Sequence, residues 1–203
     1  ICNKLPVLKM ACSSVGSPQI RNRGTLGGNV VNASPAGDTI PALFVHGAVM
    51  KLKSVNGERM VPAEEFYAGP GRTVMKDNEI LVDISVPEVE AGDKGFFKKL
   101  GQRNALAISI VSVAVILKIN EQNNIIEKAS VAVGAAAPTV IRCTEAEKLM
   151  TGMVMNDPDK IREIADCVRD MVSPISDVRA SDVYRAEMSV NLFCEGMYEL
   201  GVI

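Results

Sequence analysis

The sequence predicts a mixed α and β chain in two unlike halves, and three observations carry that reading. Residues 1–90 are rich in glycine, proline and turns, whereas residues 94–203 hold longer regular runs. Between them, Pro87-Glu88-Val89-Glu90-Ala91-Gly92-Asp93-Lys94-Gly95 is polar and full of breakers, which marks a boundary. Beyond that boundary, three strand-type runs come first and two amphipathic helical stretches follow.

In the first half, Lys4 to Val15 reads as a short helix. Asp38 to His46 reads as another, with Asp38 as N-cap and Pro41 in the first turn. Val49 to Val55 alternates with period two and meets Asn56-Gly57, a strong hairpin signal. Glu79 to Val86 is a further strand, stopped by Pro87. In the second half, Gly95 to Leu100, Ile108 to Leu117 and Ile126 to Ala136 read as strands, the middle one because it is dense in β-branched residues. Asp157-Pro158 supplies an N-cap and a proline at N1 for a helix whose apolar face is Ile161, Ile164, Ala165, Val168 and Val172. Ser181 caps a last helix with a stripe of Val183, Ala186, Val190, Phe193, Met197 and Leu200, expected to pack on the three strands.

Composition narrows the function. Of 203 residues, 47% are apolar and 23% charged, which is ordinary globular usage and excludes disorder and fibrous repeats. The uncharged stretch Asn104 to Leu117 is shorter than the roughly 20 residues a membrane helix needs. A net charge of −2 gives no electrostatic case for nucleic acid or an anionic membrane surface. The five cysteines (Cys2, Cys12, Cys143, Cys167, Cys194) are scattered, so neither a zinc site nor an iron–sulfur site is expected within this chain. Free thiols and ten methionines suit a reducing, cytoplasmic setting. The single histidine, His46, lies in an apolar run and reads as a packing residue with locally satisfied ring nitrogens. Histidine-dependent nucleophilic mechanisms are therefore set aside.

The unusual chemistry lies in Gln19-Ile20-Arg21-Asn22-Arg23-Gly24-Thr25-Leu26-Gly27-Gly28-Asn29, where two arginines flank a loop with three glycines and the helix-like Val30-Val31 follows. Glycine lets backbone N–H groups converge on a ligand, and such a nest at a helix start favours phosphate or pyrophosphate. Walker and Rossmann fingerprints are absent. Asp38, nine residues beyond Asn29, suits hydroxyls rather than phosphate, because a carboxylate repels an anion and accepts hydrogen bonds. Together these point to a nucleotide or ribityl-type cofactor. The bland alternatives are a purely structural turn and an Asp38 that only caps its helix.

Val15 to Asn29, followed by Ala33-Ser34-Pro35 and Asp38, resembles the FAD-binding subunit of the molybdenum hydroxylases, the group that includes xanthine, nicotinate and carbon monoxide dehydrogenases. Lys99-x-x-x-Arg103 and Ala180-Ser181-x-x-Tyr184-Arg185 resemble later motifs of that family. The resemblance implies an α+β fold: the second lobe of a two-lobed FAD-binding domain (residues 1–90), then a C-terminal domain of a three-stranded antiparallel sheet plus helices (residues 94–203). It implies that Thr25, Leu26, Gly27, Gly28 and Asn29 form an FAD loop, that Asp38 holds cofactor hydroxyls, and that Val15 packs on the cofactor. Leu81 and Lys99 match positions that reach the flavin region, with the register open by one residue to the adjacent Lys98, and Arg72 is a further candidate.

The activity implied is that of a flavoprotein dehydrogenase component. FAD takes electrons from [2Fe-2S] centres and passes them to NAD or another acceptor, with molybdopterin and iron–sulfur groups held by partner subunits. Family members begin with an earlier glycine-rich loop on another lobe. The chain starts at Ile1 without that loop, so a fragment, or a partner lobe on a separate chain, is the expectation. Two other readings stay open: a flavoenzyme of the same fold without molybdenum partners, and a non-enzymatic interaction module.

Overall fold

The computed structural model describes residues 4–90, 92–103 and 107–203. Cys2, Ala91 of the boundary segment and the first residues of the Asn104–Leu117 stretch lie outside the described residues. Helix α1 (Pro6–Ser14) opens the chain, with Pro6 at its first position and Val7, Leu8 and Ala11 buried. Two short helices follow, α2 (Pro18–Arg23) and α3 (Leu26–Asn32), each started by a hydroxyl cap: Ser17 Oγ accepts from the Ile20 amide at 3.2 Å and Thr25 Oγ1 from the Gly28 amide at 3.0 Å. The expected loop therefore contains a helix of its own, which the Ser17-Pro18 pair would have signalled, and Gly27 and Gly28 sit in the first turn of α3.

Helix α4 (Thr39–Val45) is buried along its whole length. Asp38 stands at its N-cap position but makes no capping hydrogen bond, because its carboxylate is engaged elsewhere. Strands β1 (Val49–Ser54) and β2 (Gly57–Pro62) form the expected hairpin, paired from Ser54↔Gly57 to Val49↔Pro62. Its two-residue loop is Val55-Asn56, so Gly57 opens β2 rather than occupying the turn centre. A small hairpin of β3 (Tyr67–Gly69) and β4 (Arg72–Thr73) precedes β5 (Ile80–Ser85), which pairs antiparallel with β1 to give the order β2-β1-β5.

The second sheet has the order β6-β7-β8-β9, from β6 (Lys94–Leu100), β7 (Val111–Asn120), β8 (Ile125–Gly134) and β9 (Ile141–Arg142), all antiparallel. The three long strands are those expected, and β9 adds a two-residue edge. β7 starts at Val111, leaving Ile108 and Ser109 outside the strand. Its five leading residues are all buried because both faces of the sheet are covered. Val113, Val115 and Leu117 join a core with Phe96, Val131 and Val133 under α5 (Thr144–Met150), α6 (Pro158–Met171) and α7 (Asp182–Glu199). Ala114, Ala132 and Phe97 face the other way, into a core with α1, α4 and the first sheet. At about 1.5–3 kcal/mol per buried large apolar side chain, this shared sheet binds the two halves into one packed body.

α6 buries Ile161, Ile164, Ala165 and Val168 as expected, with Asp157 capping through the Lys160 amide at 2.9 Å. On α7 the expected stripe is rotated. Its buried positions are Arg185, Ser189, Leu192, Phe193, Gly196 and Met197, while Val183 is exposed. Hydropathy alone does not find this face. Gly196 is there because the Phe96 ring lies against it, and a Cβ would come within 2.2 Å of that ring. Arg185 is there because its guanidinium donates to the Ile110 and Ala135 carbonyls at 2.6 and 3.1 Å and to Asp177 at 2.7 Å.

Candidate functional site

A cavity of about 590 Å³ opens where α1, α2, α3 and α4 meet. Its walls are Cys12 and Val15 from the end of α1, Ile20, Arg21 and Arg23 from α2, Gly24 to Leu26, Gly28, Asn29 and Asn32 from α3, and Thr39 from α4. Each wall has a local cause. Arg21 donates from Nη1 to the Val15 carbonyl at 2.9 Å, which fixes the bend between α1 and α2. Thr25 caps α3, so the helix start faces the cavity with first-turn amides that no preceding carbonyl can satisfy. Thr39 donates to Asn29 Oδ1 at 2.6 Å and ties α3 to α4.

The sequence-predicted residues fall into three places. Val15, Thr25, Leu26, Gly28 and Asn29 line the cavity. Gly27 turns instead toward Leu81, half-buried on β5, whose Cδ2 would sit 3.9 Å from a Cβ added there. Asp38 and Lys99 form a buried pair beside the cavity: Lys99 Nζ donates to Asp38 Oδ2 at 2.5 Å and to the Ser14 carbonyl at 3.1 Å, and Ser109 Oγ donates to Asp38 Oδ1 at 2.5 Å. Burial pushes the Asp38 carboxyl above the ordinary carboxylate value, against the pull of Lys99 and Ser109. Lys98 points to the opposite face of β6, toward Glu195 and Glu199 of α7, so strand alternation puts Lys99 on the side of Asp38. Arg72 is exposed on β4, where Gly71 donates to the Ala33 carbonyl at 2.9 Å just past α3.

Sequence reasoning missed Asn32, Thr39 and Ser109. Thr39 directly follows Asp38 in the sequence; Ser109 falls within the Ile108–Leu117 run, but the strand begins two residues later, at Val111. His46 is buried as expected, with Nδ1 3.2 Å from the Pro87 carbonyl, but its Nε2 has no partner among the described residues.

The walls fit a diphosphate-bearing cofactor. Among the described lining residues there are two guanidinium groups and no carboxylate to repel an anion. Asn29, Asn32 and Thr39 supply hydrogen-bonding groups for hydroxyls. Gly28 leaves the helix start bare, since a Cβ there would stand 3.0 Å from Thr25 Oγ1.

Comparison with known proteins agrees with that chemistry. Residues 1–89 match the FAD binding domain in molybdopterin dehydrogenase, and residues 96–200 match the CO dehydrogenase flavoprotein C-terminal domain. The chain belongs to the FAD-binding subunit family of the molybdenum hydroxylases. Its α+β architecture is that family's fold, and FAD is the cofactor the family's first domain binds. Among relatives, this FAD-subunit chain is 36% identical over 187 residues to the glyceraldehyde dehydrogenase medium chain of Sulfolobus acidocaldarius, covering 92% of this chain and 64% of that protein. It is 33% identical over 187 residues to the putative xanthine dehydrogenase FAD-binding subunit of Escherichia coli K12, covering 91% and 62%. Among solved structures, a chain of carbon monoxide dehydrogenase from Hydrogenophaga pseudoflava superposes with a TM-score of 0.93 at 27% identity, covering 98% of this chain and 68% of that one. The chain thus spans somewhat less than two thirds of the length of the first two relatives. No helix among the described residues is long and apolar enough to cross a membrane.

Proposed function

We propose that this chain is part of the flavoprotein component of a cytoplasmic, multisubunit molybdenum hydroxylase, a dehydrogenase in which [2Fe-2S] centres and molybdopterin reside in partner subunits. The observation that carries this reading is the carboxylate-free cavity at the start of α3, in a chain whose first domain matches an FAD-binding family. When bound, FAD would supply the redox chemistry, taking electrons from the iron–sulfur side and releasing them to NAD or another acceptor.

This chain's own groups bind and orient. The first-turn amides of α3 and the Arg21 and Arg23 guanidiniums hold the diphosphate, and Thr25 keeps those amides aimed by capping the helix. Asn29 is held in place by Thr39, Val15 packs on the cofactor, and Leu81 supports Gly27 from behind. Asp38 and Lys99 set a hydrogen-bonding, paired-charge wall on the flavin side, and Arg72, exposed on the β3–β4 hairpin, is a further candidate for cofactor contact. None of these residues needs to act as acid, base or nucleophile. The division into an FAD-binding lobe at 1–90 and a C-terminal domain at 94–203 belongs to the same reading and is supported by the two matched spans.

The test is to purify the natural full-length protein and denature it. About one FAD per chain should be released, with iron–sulfur and molybdopterin subunits co-purifying before denaturation. A full-length protein that releases no FAD overturns the flavoprotein reading; one that releases FAD but never associates with such subunits overturns the molybdenum part.

A further inference from the structure

Asp38 holds the N-cap position of α4, yet its carboxylate has no capping donor to take. An N-cap side chain accepts from the second or third helical amide. Here the second, that of Ile40, already donates to the Gly37 carbonyl at 3.1 Å, and the third position is Pro41, which has no N–H. Both carboxylate oxygens are met instead from the second half of the chain, Oδ2 by Lys99 and Oδ1 by Ser109, each at 2.5 Å.

Ser109 is fixed for that contact. It is 1% exposed while its neighbour Ile108 is 56% exposed, so the chain turns the hydroxyl inward ahead of β7. On its other side, the Ile110 amide donates to the Leu100 carbonyl at 2.8 Å, and the Ile110 carbonyl accepts from the buried Arg185 guanidinium at 2.6 Å. The same guanidinium nitrogen donates to the Ala135 carbonyl at 3.1 Å. In turn the Ala135 amide donates to the carbonyl of Pro35, three residues before Asp38, at 2.8 Å. One buried group on α7 thus anchors both the segment that carries Ser109 and the segment that meets Pro35.

Asp38 leads directly to the cavity. Thr39, the next residue, lines it and donates to Oδ1 of Asn29, a second lining residue, at 2.6 Å. Ser109 is not among the described lining residues, so its influence on an occupant passes through Asp38. We propose that Ser109 is a positioning residue for the FAD site: its hydrogen bond fixes Asp38, and through Asp38 the groups of Thr39 and Asn29 that face the cofactor. Resting on the flavoprotein reading, this gives the C-terminal half of the chain a part in building the site.

Stripping the natural full-length protein of flavin and titrating it with FAD tests this, with binding read by quenching of flavin fluorescence and folding by circular dichroism. Ser109→Ala should weaken FAD binding about tenfold, equivalent to about 1.4 kcal/mol, with the fold intact. Ser109→Cys keeps the shape but donates only weakly. It should lose part of that affinity, and it carries the same comparison if the alanine variant does not fold. In an Asp38→Ala background, where the acceptor is gone, changing Ser109 should have no further effect. A general structural role would instead weaken binding in both backgrounds. Unchanged affinity in the Ser109 variants, or the same loss on top of Asp38→Ala, overturns the proposal. An unaltered protein that binds no FAD overturns the flavoprotein reading itself, and this role for Ser109 with it.

Discussion

Lys99 Nζ stands 2.5 Å from Asp38 Oδ2, joining the end of β6 to the start of α4 across the interface between the two halves. Both side chains are largely buried, at 12% and 7% exposure. Ser109 completes the cluster from the segment that precedes β7. This is where the second half of the chain meets Asp38, the neighbour of Thr39 on the wall of the cavity at the start of α3.

Removing one partner of that pair strands the other charge in a low-dielectric site. Lys99→Met should destabilise the protein by about 3–5 kcal/mol, read by urea unfolding. The double variant Lys99→Met with Asp38→Asn should cost clearly less than the sum of the single changes, because no buried charge is left unpaired. Additive costs would show that the two residues are not coupled.

Acid should weaken the fold over a defined window. The Arg59 guanidinium, with the Lys76 amide, holds Glu79 down at about 2 from an ordinary 4.5. The Arg179 amide, with Arg185, holds Asp177 at about 2 from 3.8. A depressed carboxylate stabilises above its unfolded pKa and loses that contribution as pH falls through the folded one. Stability should therefore drop between about pH 4.5 and pH 2, and Glu79→Gln should flatten part of the slope in pH-dependent urea melts. Asp38 works in the opposite direction, since its raised pKa favours the fold at low pH. An unchanged slope in Glu79→Gln would remove the Arg59 pair from the account.

Gly196 admits the Phe96 ring to the face of α7. Gly196→Ala improves helix propensity on its own by up to about 1 kcal/mol, yet its methyl group would overlap the ring. Overpacking should win, with a net loss of about 1–3 kcal/mol and a lowered Tm. A variant as stable as the parent would show that the ring moves aside freely.

The long elements were legible because one force dominated each. Alternation set β1, β-branched density set β7, and Asp157-Pro158 together with a clean apolar stripe set α6. The site was legible where glycine and hydroxyl patterning is local, as in Thr25 to Asn29. It failed where a long-range partner decides the matter. Arg185 and Ser189 are buried on α7 because carbonyls at the sheet end accept from Arg185, and Ser189 Oγ bonds back to the Arg185 carbonyl. Ser109 leaves the strand pattern, its hydroxyl donating a hydrogen bond to Asp38, 71 residues away. Asp38 was expected to cap or to hold hydroxyls, and the contact with Lys99 gives it a third task that no local pattern announces.

The central claim is that the start of α3 holds the FAD diphosphate. The flavin-to-protein ratio of full-length Gly28→Val tests it most directly, with circular dichroism to confirm folding. Gly28 lines the cavity, and a side chain there would press on the Thr25 cap and fill the approach to the first-turn amides. A folded variant carrying less than about a tenth of the parent's flavin, a loss of at least about 1.4 kcal/mol in binding, is the predicted result. A folded Gly28→Val protein with full flavin content would contradict it.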